Sequence, residues 1–425
     1  MGKTIIEKIL GAHSDQDAKA GEIIWISLDV RSARDFGGAS VVKNFEKYYG
    51  EDPVANVSKT FFTFDCVVPA NNIPYANNQH ICRLFARKQQ IKLYDVNAGI
   101  GSHVAIEEGL SLPGTTYVGT DSHLNILGAV GAFGQGMGDQ DIAFAFRTGK
   151  TWFQVPPSMK ITLKGKLPQD CTAKDLTLYM VRKLGSKGAL GRAVEFYGEP
   201  IDALNLPGRI TLASMATEMG AIVALIPPNE DVLAYCQKRA DKRGVSFTVH
   251  EADPKAEYVE ELEFDISKLT PQIACPPKPD NVKDVADLDT INIDSVFVGS
   301  CTNGSYQDIR RLAELVKGKQ LHPRVMGKVA PATKAVYSRL LKEGHIQALF
   351  EAGFIIINAG CGGCASGQVG MTGAGEVQIS TSNRNFLGKQ GKGDTYLASP
   401  ETAAVAAVLG KLGKGATIKE LRELN

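Results

Sequence analysis

The chain has 425 residues and a formal net charge of +1, with 44% hydrophobic and 22% charged residues, values that suggest two to four ordinary globular domains. No block of like charge stands out and no uninterrupted apolar run approaches about 18 residues, which argues against a nucleic-acid footprint, a polybasic membrane anchor or a transmembrane helix. Eight cysteines are too sparse for a disulfide scaffold, and Met1-Gly2-Lys3-Thr4 opens no signal-peptide pattern, so reduced thiols and a cytoplasmic location are expected.

In chain order, the pattern predicts a short helix over 4–10 and a strand over 22–30. A turn at Arg34-Asp35-Phe36-Gly37-Gly38 and a helix over 40–49 follow. A second strand over 60–65 runs into Cys66 and Pro69, and a helix over 77–90 carries Ile81, Leu84 and Phe85 on one face. Strand and helix alternating in this way imply a parallel sheet with helices on both faces, with working residues at the strand ends. A strand over 91–96 leads to His103, just before a helix over 104–110. A strand over 116–119 leads to Thr120-Asp121-Ser122-His123. An aspartate two residues before a histidine is placed to fix its tautomer and raise its pKa, as a proton donor near neutral pH requires. Gly128, Gly131, Gly134, Gly136 and Gly138 lack the strand–GxGxxG–helix context of a phosphate loop, and they read as close packing within a helix-like segment.

Pro156-Pro157 marks a first boundary. Beyond it come a strand over 160–166, a helix over 172–184 opened by Thr172 with Asp175, and Glu195 before a further strand and loop. Glu218 lies among Met215, Met219 and Ala221 on a predicted helix over 211–220, either turned to water or buried with a raised pKa. Cys275-Pro276-Pro277-Lys278-Pro279 reads as an extended linker.

Three further strands, over 294–299, 354–358 and 377–380, are expected side by side on one sheet edge. The first delivers Cys301 near a helix N-terminus, where a thiolate is stabilised. The second delivers Cys361 and Cys364 within Ala359–Gly367, a run of glycine, alanine and serine whose backbone is free to fold tightly around something small. The third delivers Thr381-Ser382-Asn383-Arg384-Asn385-Phe386, and an alanine-rich helix over 400–412 closes the chain. Three thiols gathered this way suggest a metal. A zinc site with an open position and an iron–sulfur cluster with one uncovered iron both satisfy the spacing.

Four motifs in order carry a resemblance that covers essentially the whole chain: Val118-Gly119-Thr120-Asp121-Ser122-His123, Gly299-Ser300-Cys301-Thr302-Asn303-Gly304, Gly360-Cys361-Gly362-Gly363-Cys364 and Thr381-Ser382-Asn383-Arg384-Asn385-Phe386. They resemble the aconitase superfamily, most closely its branch of 3-isopropylmalate dehydratase and homoaconitase large subunits. The resemblance implies an α/β fold, an aconitase-like iron–sulfur core of three α/β/α domains with mainly parallel sheets, divided at 1–156, 157–280 and 281–425. It implies a hydro-lyase acting on a small 2-hydroxy di- or tricarboxylic acid in amino-acid biosynthesis of the leucine type. Cys301, Cys361 and Cys364 would hold a 4Fe–4S cluster with one open iron. Arg384 would meet a substrate carboxylate, with Ser382, Asn383, Lys389 and Cys66 beside it, while His103, Asp121, His123, Glu218 and Asp65 handle protons and water. The mobile fourth, swivel domain of the family would be a separate small subunit, without which the chain has no turnover. No nucleic-acid or membrane partner is expected. Two other readings stand beside this one: a dehydratase of another alkyl-malate or of homoaconitate, and a cluster-bearing binding or sensor subunit.

Several positions depart from the family pattern: Cys66 replaces a histidine after Asp65, Arg34-Asp35-Phe36-Gly37 replaces His-Asp/Glu-x-Thr, Leu124 a threonine, Lys389 an arginine and Ser214 an asparagine. Leu124 is expected to add an apolar wall, and with Lys389 to favour a smaller or less charged substrate tail.

Overall fold

The computed structural model describes residues 2–364 and 370–424, so that Ala365, Ser366 and Gly367 of the glycine-rich run lie outside the described residues. An outlying strand, β1 (Ile23–Ser27), precedes a five-stranded sheet of β2 (Val30–Arg34), β3 (Thr60–Thr63), β4 (Lys92–Tyr94), β5 (Thr116–Gly119) and β6 (Phe133–Gly136). All five run parallel in the order β4-β3-β2-β5-β6. β7 (Lys150–Gln154) returns to pair antiparallel with β1. The predicted strand over 22–30 is therefore β1, whereas the central strand of the sheet occupies what reads as its end and the turn after it. Polar composition hides β2: Arg31 is buried within it and donates to the carbonyls of Leu28 and Asn56, so a charged residue takes a core position.

The helix Ile73–Gln89 begins earlier than expected because the Asn72 side chain caps it by accepting from Tyr75 N. Its buried face is Gln79, Cys82, Phe85 and Ala86, and Leu84 points to solvent. The glycine-rich segment is not one helix. A 3-10 turn at Leu124–Val130 leads into β6, and the helix proper is Asp139–Thr148. The glycines do serve close packing, of backbone on backbone: a Cβ on Gly128 would lie 1.6 Å from the Ala224 carbonyl oxygen, and one on Gly134 would lie 2.1 Å from that of Leu124.

A second parallel sheet comprises β8 (Ser158–Lys164), β9 (Ala193–Tyr197), β10 (Val223–Leu225) and β11 (Glu260–Asp265), ordered β10-β9-β8-β11. Thr172 and Asp175 form the expected capping box on the helix Ala173–Leu184. The segment over 211–220 divides into the end of a helix, Leu206–Ser214, and a 3-10 turn, Met215–Met219, that carries Glu218.

The third sheet has seven strands. β12 (Gln272–Ala274) and β13 (Val282–Asp284) form an antiparallel hairpin, and residues 275–279 lie between them with Cys275 buried, so they are not a linker. After the short β14 (Ile291–Asn292) come β15 (Ser295–Val298), β16 (Met326–Val329), β17 (Ile355–Ile356), β18 (Val377–Ser380) and β19 (Asp394–Leu397), mutually parallel, giving the order β13-β12-β19-β18-β15-β16-β17. β16 stands between the strands that deliver Cys301 and the Cys361–Cys364 turn, so those two strand ends share an edge without being neighbours. β16 escapes a hydrophobic-pattern search because its Lys328 is buried, donating to the Gly370 carbonyl and to Gln378 Oε1. The closing helix is Pro400–Leu409, followed by β20 (Lys411–Leu412), which pairs with β14.

One buried cluster joins the three sheets: Leu124 and Leu127 beyond β5, Leu212 and Met215 beyond β9, and Cys301, Cys361 and Cys364. No described helix is long and apolar enough to cross a membrane.

Candidate functional site

The loop after β15 begins with Gly299 at φ +153° and Ser300 at φ +72°, a conformation that costs a non-glycine residue about 1–3 kcal/mol. Gly299 N donates to Thr381 Oγ1 at 3.0 Å and Thr302 N to Ser300 Oγ at 3.2 Å, which hold the turn. Cys301 is thereby turned inward on the short helix Ser300–Asn303. From the β17 side, Cys361 N donates to the Asp65 carbonyl at 2.8 Å. Gly362 follows at φ +60°, and a Cβ there would meet Ala330 Cβ and the Phe297 ring at 2.8 Å. The turn can be this tight only with glycine. Cys301, Cys361 and Cys364 are all buried.

The Asn383 side chain, beyond β18, links two of them: its Oδ1 accepts from Cys301 Sγ at 3.4 Å and from Cys364 Sγ at 4.0 Å. Burial pushes the Cys364 thiol up to about 11 and Cys301 well above its ordinary value. Without a positively charged group between them these thiols keep their protons. A bound cation would reverse that, because a metal-coordinating thiol is deprotonated outright.

Arg34, at the end of β2, organises the opposite wall. Its Nε donates to Asp65 Oδ1 at 2.7 Å, its Nη1 to Asp121 Oδ1 at 2.9 Å and its Nη2 to Cys361 Sγ at 2.8 Å. Burial drives Asp65 up to about 6 against the pull of Arg34. Burial also pushes Asp121 upward, but Arg34 and His123 outweigh it and hold that carboxyl below its ordinary value. Asp35 accepts the backbone N–H groups of Asp65, Cys66 and Val67 at 3.2, 3.0 and 3.1 Å, so the loop after β3 is fixed by one carboxylate. Sequence reading saw Arg34 only as a replaced histidine. Its strand-end position in a parallel sheet was the available signal.

The histidines are paired differently from expectation. Asp121 accepts from the backbone N–H of His123 at 3.0 Å and does not touch its ring. The ring Nε2 instead faces Glu218 Oε1 at 3.2 Å, and the same oxygen accepts from Arg384 Nε at 2.7 Å. Glu218 is buried, yet its pKa is lowered: burial pushes it up, and His123 and Arg384 together push it further down. It is an ionised anchor and not a poised proton donor. His103 lies inside the helix Gly101–Glu107, where its Nε2 donates to the Cys301 carbonyl at 2.8 Å. Burial pulls its pKa down, so the ring is neutral with Nδ1 as acceptor.

The remaining predicted residues divide. Ser382 Oγ pairs with Ser380 Oγ at 2.8 Å and accepts from Gln390 Nε2 at 2.6 Å, so it braces the Arg384 loop. Cys66 is buried, its Sγ donating to Asp65 Oδ1 at 3.4 Å and lying within hydrogen-bond reach of the Cys361 thiol. Lys389 is half-buried, close enough for its charge to be felt at Cys364. Leu124 is 1% exposed and packs beneath the site against Gly119, so it is core and no pocket wall. Ser214 donates back to the Thr211 carbonyl at 3.0 Å, within its own helix.

Lys174, which sequence reading passed over, is fully buried and donates to the carbonyls of Thr381 and Ser382 at 3.0 and 2.8 Å. Burial pulls its pKa down to about 8. Its position just inside a capped helix gave no hint of this role.

Several buried polar atoms around the cysteines have no protein partner among the described residues: Asn383 Nδ2, Glu218 Oε2, Ser102 Oγ and Thr302 Oγ1. Orphaned polar atoms beside inward-facing thiols fit a site built for a polar, thiolate-bound group and its ligand.

Comparison with known proteins gives the family and the fold. The profile of the aconitase family (aconitate hydratase) matches residues 7–290 and 281–410. The protein of Methanopyrus kandleri named 3-isopropylmalate dehydratase large subunit 1 is 42% identical over 415 residues, covering 97% of this chain and 98% of that one. The 3-isopropylmalate dehydratase large subunit of a Sulfurihydrogenibium species is 39% identical over 429 residues, 100% of this chain and 99% of its own. Among solved structures, the holo form of Thermococcus kodakaraensis aconitase X superposes with a TM-score of 0.53 over 90% of this chain and 89% of that one, at 14% identity, a likeness of fold.

Proposed function

We propose that this chain, which belongs to the aconitase family, is the large subunit of a hydro-lyase of the 3-isopropylmalate dehydratase type. The observation that carries the reading is the convergence of Cys301, Cys361 and Cys364 on one buried edge, facing the Glu218–His123–Arg384 network. The three cysteines would hold a 4Fe–4S cluster, which when bound supplies a Lewis-acidic iron for the hydroxyl that leaves or returns. Arg384 binds a substrate carboxylate, and its guanidinium is oriented by Glu218. His123 exchanges a proton with the departing oxygen, with Glu218 fixing the ring through Nε2 and stabilising the imidazolium that forms. Neutral His103 offers Nδ1 as an acceptor, which suits positioning a hydroxyl or a water. Arg34 keeps Asp121 ionised beside this network.

The relatives are named large subunits, which supports a small-subunit partner for this chain. That partner would carry the swivel domain and the base that removes the carbon-bound proton. The proposed division at 1–156, 157–280 and 281–425 puts Cys301, Cys361 and Cys364 in the last domain, although β12 of the seven-stranded sheet falls within 157–280. With Leu124 in the core, the case for an altered substrate rests on Cys66 and Lys389, which favour an alkyl-malate other than isopropylmalate as the second reading.

Anaerobic purification followed by iron and acid-labile sulfide analysis, then hydration of a panel of unsaturated diacids with and without the small subunit, tests the assignment. A brown protein active only as the pair is expected. A colourless zinc protein, or full turnover by the single chain, overturns it.

A further inference from the structure

Four thiols, not three, line the cysteine-bearing edge, and two of them touch. The other four of the eight lie elsewhere in the core: Cys82 against Gly38, Cys171 donating to the Leu269 carbonyl, and Cys236 and Cys275 buried in separate packing. Cys301 and Cys364 are gathered at Asn383. The Cys66 and Cys361 sulfurs lie within 4.8 Å of each other and in hydrogen-bond contact.

The backbone brings this pair together. Cys361 N donates to the Asp65 carbonyl at 2.8 Å, so residues 66 and 361 lie side by side where the loop after β3 meets the loop after β17. Gly360 allows the approach: a Cβ there would lie 2.8 Å from the Asp65 carbonyl oxygen and 3.0 Å from Val68 Cγ2. The Cys66 side of the contact is fixed, because the N–H groups of Asp65, Cys66 and Val67 all end on the Asp35 carboxylate, which also accepts from Gln79 Nε2 at 3.2 Å. Two cysteines on adjoining backbones with their sulfurs in contact need only side-chain rotation to close to the ~2 Å of an S–S bond. The two thiols are 6% and 7% exposed, which favours a small oxidant over a bulky disulfide.

We propose that Cys66 and Cys361 form a reversible disulfide while no cluster is bound, with a peroxide as the oxidant, and that this bond bars the cluster until it is reduced. The second half rests on the cluster assignment above. Peroxide converts the Cys361 thiol, to which Arg34 Nη2 donates at 2.8 Å, to a sulfenic acid: an S–O bond forms, the O–O bond breaks and one water leaves. The Cys66 sulfur then attacks the Cys361 sulfur, the S–O bond breaks, and the hydroxyl departs with the Cys66 thiol proton as a second water. The two thiols lose two electrons and the peroxide gains them. Cys361 is then no longer free to ligate iron, and a thiol reductant restores it. With a histidine at position 66, a sulfenic acid on Cys361 would lack this neighbour and could pass on to the irreversible sulfinic acid; the cysteine stops the oxidation at a recoverable step.

The test exposes the full chain, purified anaerobically and stripped of iron with a chelator, to a small excess of hydrogen peroxide. Free thiols are then alkylated in denaturant and the unreduced peptides mapped by mass spectrometry. The expected result is two fewer free thiols than the eight of the reduced chain, a linked Cys66–Cys361 peptide, and a loss of iron and sulfide uptake that dithiothreitol reverses. In Cys66→Ser the lost uptake should not return with dithiothreitol, and recovery equal to that of the wild type overturns the protective role. Cys66 and Cys361 recovered separately alkylated, or Cys361 linked to Cys364 instead, overturns the proposal from the wild type alone, so it stays decidable if the variant folds poorly. Iron uptake by the linked chain before reduction overturns it as well. A chain that forms the link but takes up no iron after reduction keeps the disulfide and removes the cluster assignment, an outcome distinct from the others.

Discussion

Replacing Arg34 with glutamine removes the cation that two buried carboxylates share. Asp65 and Asp121 lie 2.7 and 2.9 Å from its nitrogens, and Asp65 is fully enclosed. Removing one member of a buried ion pair costs about 3–5 kcal/mol, and because two anions lose their partner the upper part of that range applies. The cost depends on pH in a definite direction. In the wild type, Asp121 titrates below its ordinary value, so its stabilisation is present above the unfolded pKa and is lost as pH falls through the lowered one. Asp65 titrates at about 6, so it favours the folded state when protonated and costs stability as pH rises through that value. Without Arg34, burial with the charges of Asp35 and Asp121 raises Asp65 against the Gly101 N–H alone, and burial of Asp121 is opposed only by His123 and Arg384, so both carboxyls move upward from their wild-type values. The deficit of Arg34→Gln is therefore largest above about pH 7 and shrinks toward about pH 5 as the two groups take up protons. Urea unfolding followed by tryptophan fluorescence reads this directly, since Trp25 and Trp152 lie opposite each other in β1 and β7, beside the sheet that carries Arg34. Arg34→Lys keeps the charge but cannot fork to three acceptors, and it should fall between the two. A deficit below about 0.5 kcal/mol, the size of an ordinary surface substitution, or one that does not vary with pH, refutes the reasoning.

Glu218→Gln, assayed in the reconstituted pair, should lower kcat/KM by about 10²–10⁴-fold with circular dichroism unchanged, because the anion orienting both His123 and Arg384 is lost; activity within a factor of a few of wild type would count against the assigned roles. Gly128→Ala puts a Cβ 1.6 Å from the Ala224 carbonyl oxygen and should cost about 1–3 kcal/mol or more in urea titration, while an unaffected midpoint would mean the two backbones are not in contact. The His13–Asp29 pair, 2.7 Å apart and partly exposed, contributes less than about 1 kcal/mol. His13 is raised despite burial, which opposes the shift, and Asp29 is lowered despite burial, so the stabilisation is lost as pH rises through the raised histidine value and as it falls through the lowered aspartate value. Asp29→Asn should flatten that profile between about pH 4 and pH 7, and an unchanged profile would show the pair to be without effect.

How much of this was legible in the sequence varies by element. Strands without a charged residue and rich in β-branched or aromatic side chains, such as Thr116–Gly119 and Val377–Ser380, are placed where the pattern predicts them. β2 and β16 are hidden, because each buries a charged residue that a backbone or side-chain acceptor satisfies, Arg31 in one and Lys328 in the other. A hydrophobicity pattern carries no information about a hydrogen-bond partner far along the chain. The same limit governs the site. Cys301, Cys361, Cys364 and Asn383 come together from strand ends, as a parallel sheet requires. That Glu218, and not Asp121, faces the His123 ring is decided by a turn about 95 residues away, and proximity in sequence pointed to the wrong carboxylate.

The charges around the cysteines give Arg34 a role beyond its two ion pairs. Arg34 and Arg384 are committed to Asp65, Asp121 and Glu218, and Lys174 to two carbonyls, while burial pushes the Cys301 and Cys364 thiols upward. A cluster held by thiolates, followed by a dicarboxylate, adds negative charge to a pocket whose cations are already engaged. Arg34 meets part of that demand, because its third branch ends on the Cys361 sulfur, where it would stabilise a thiolate.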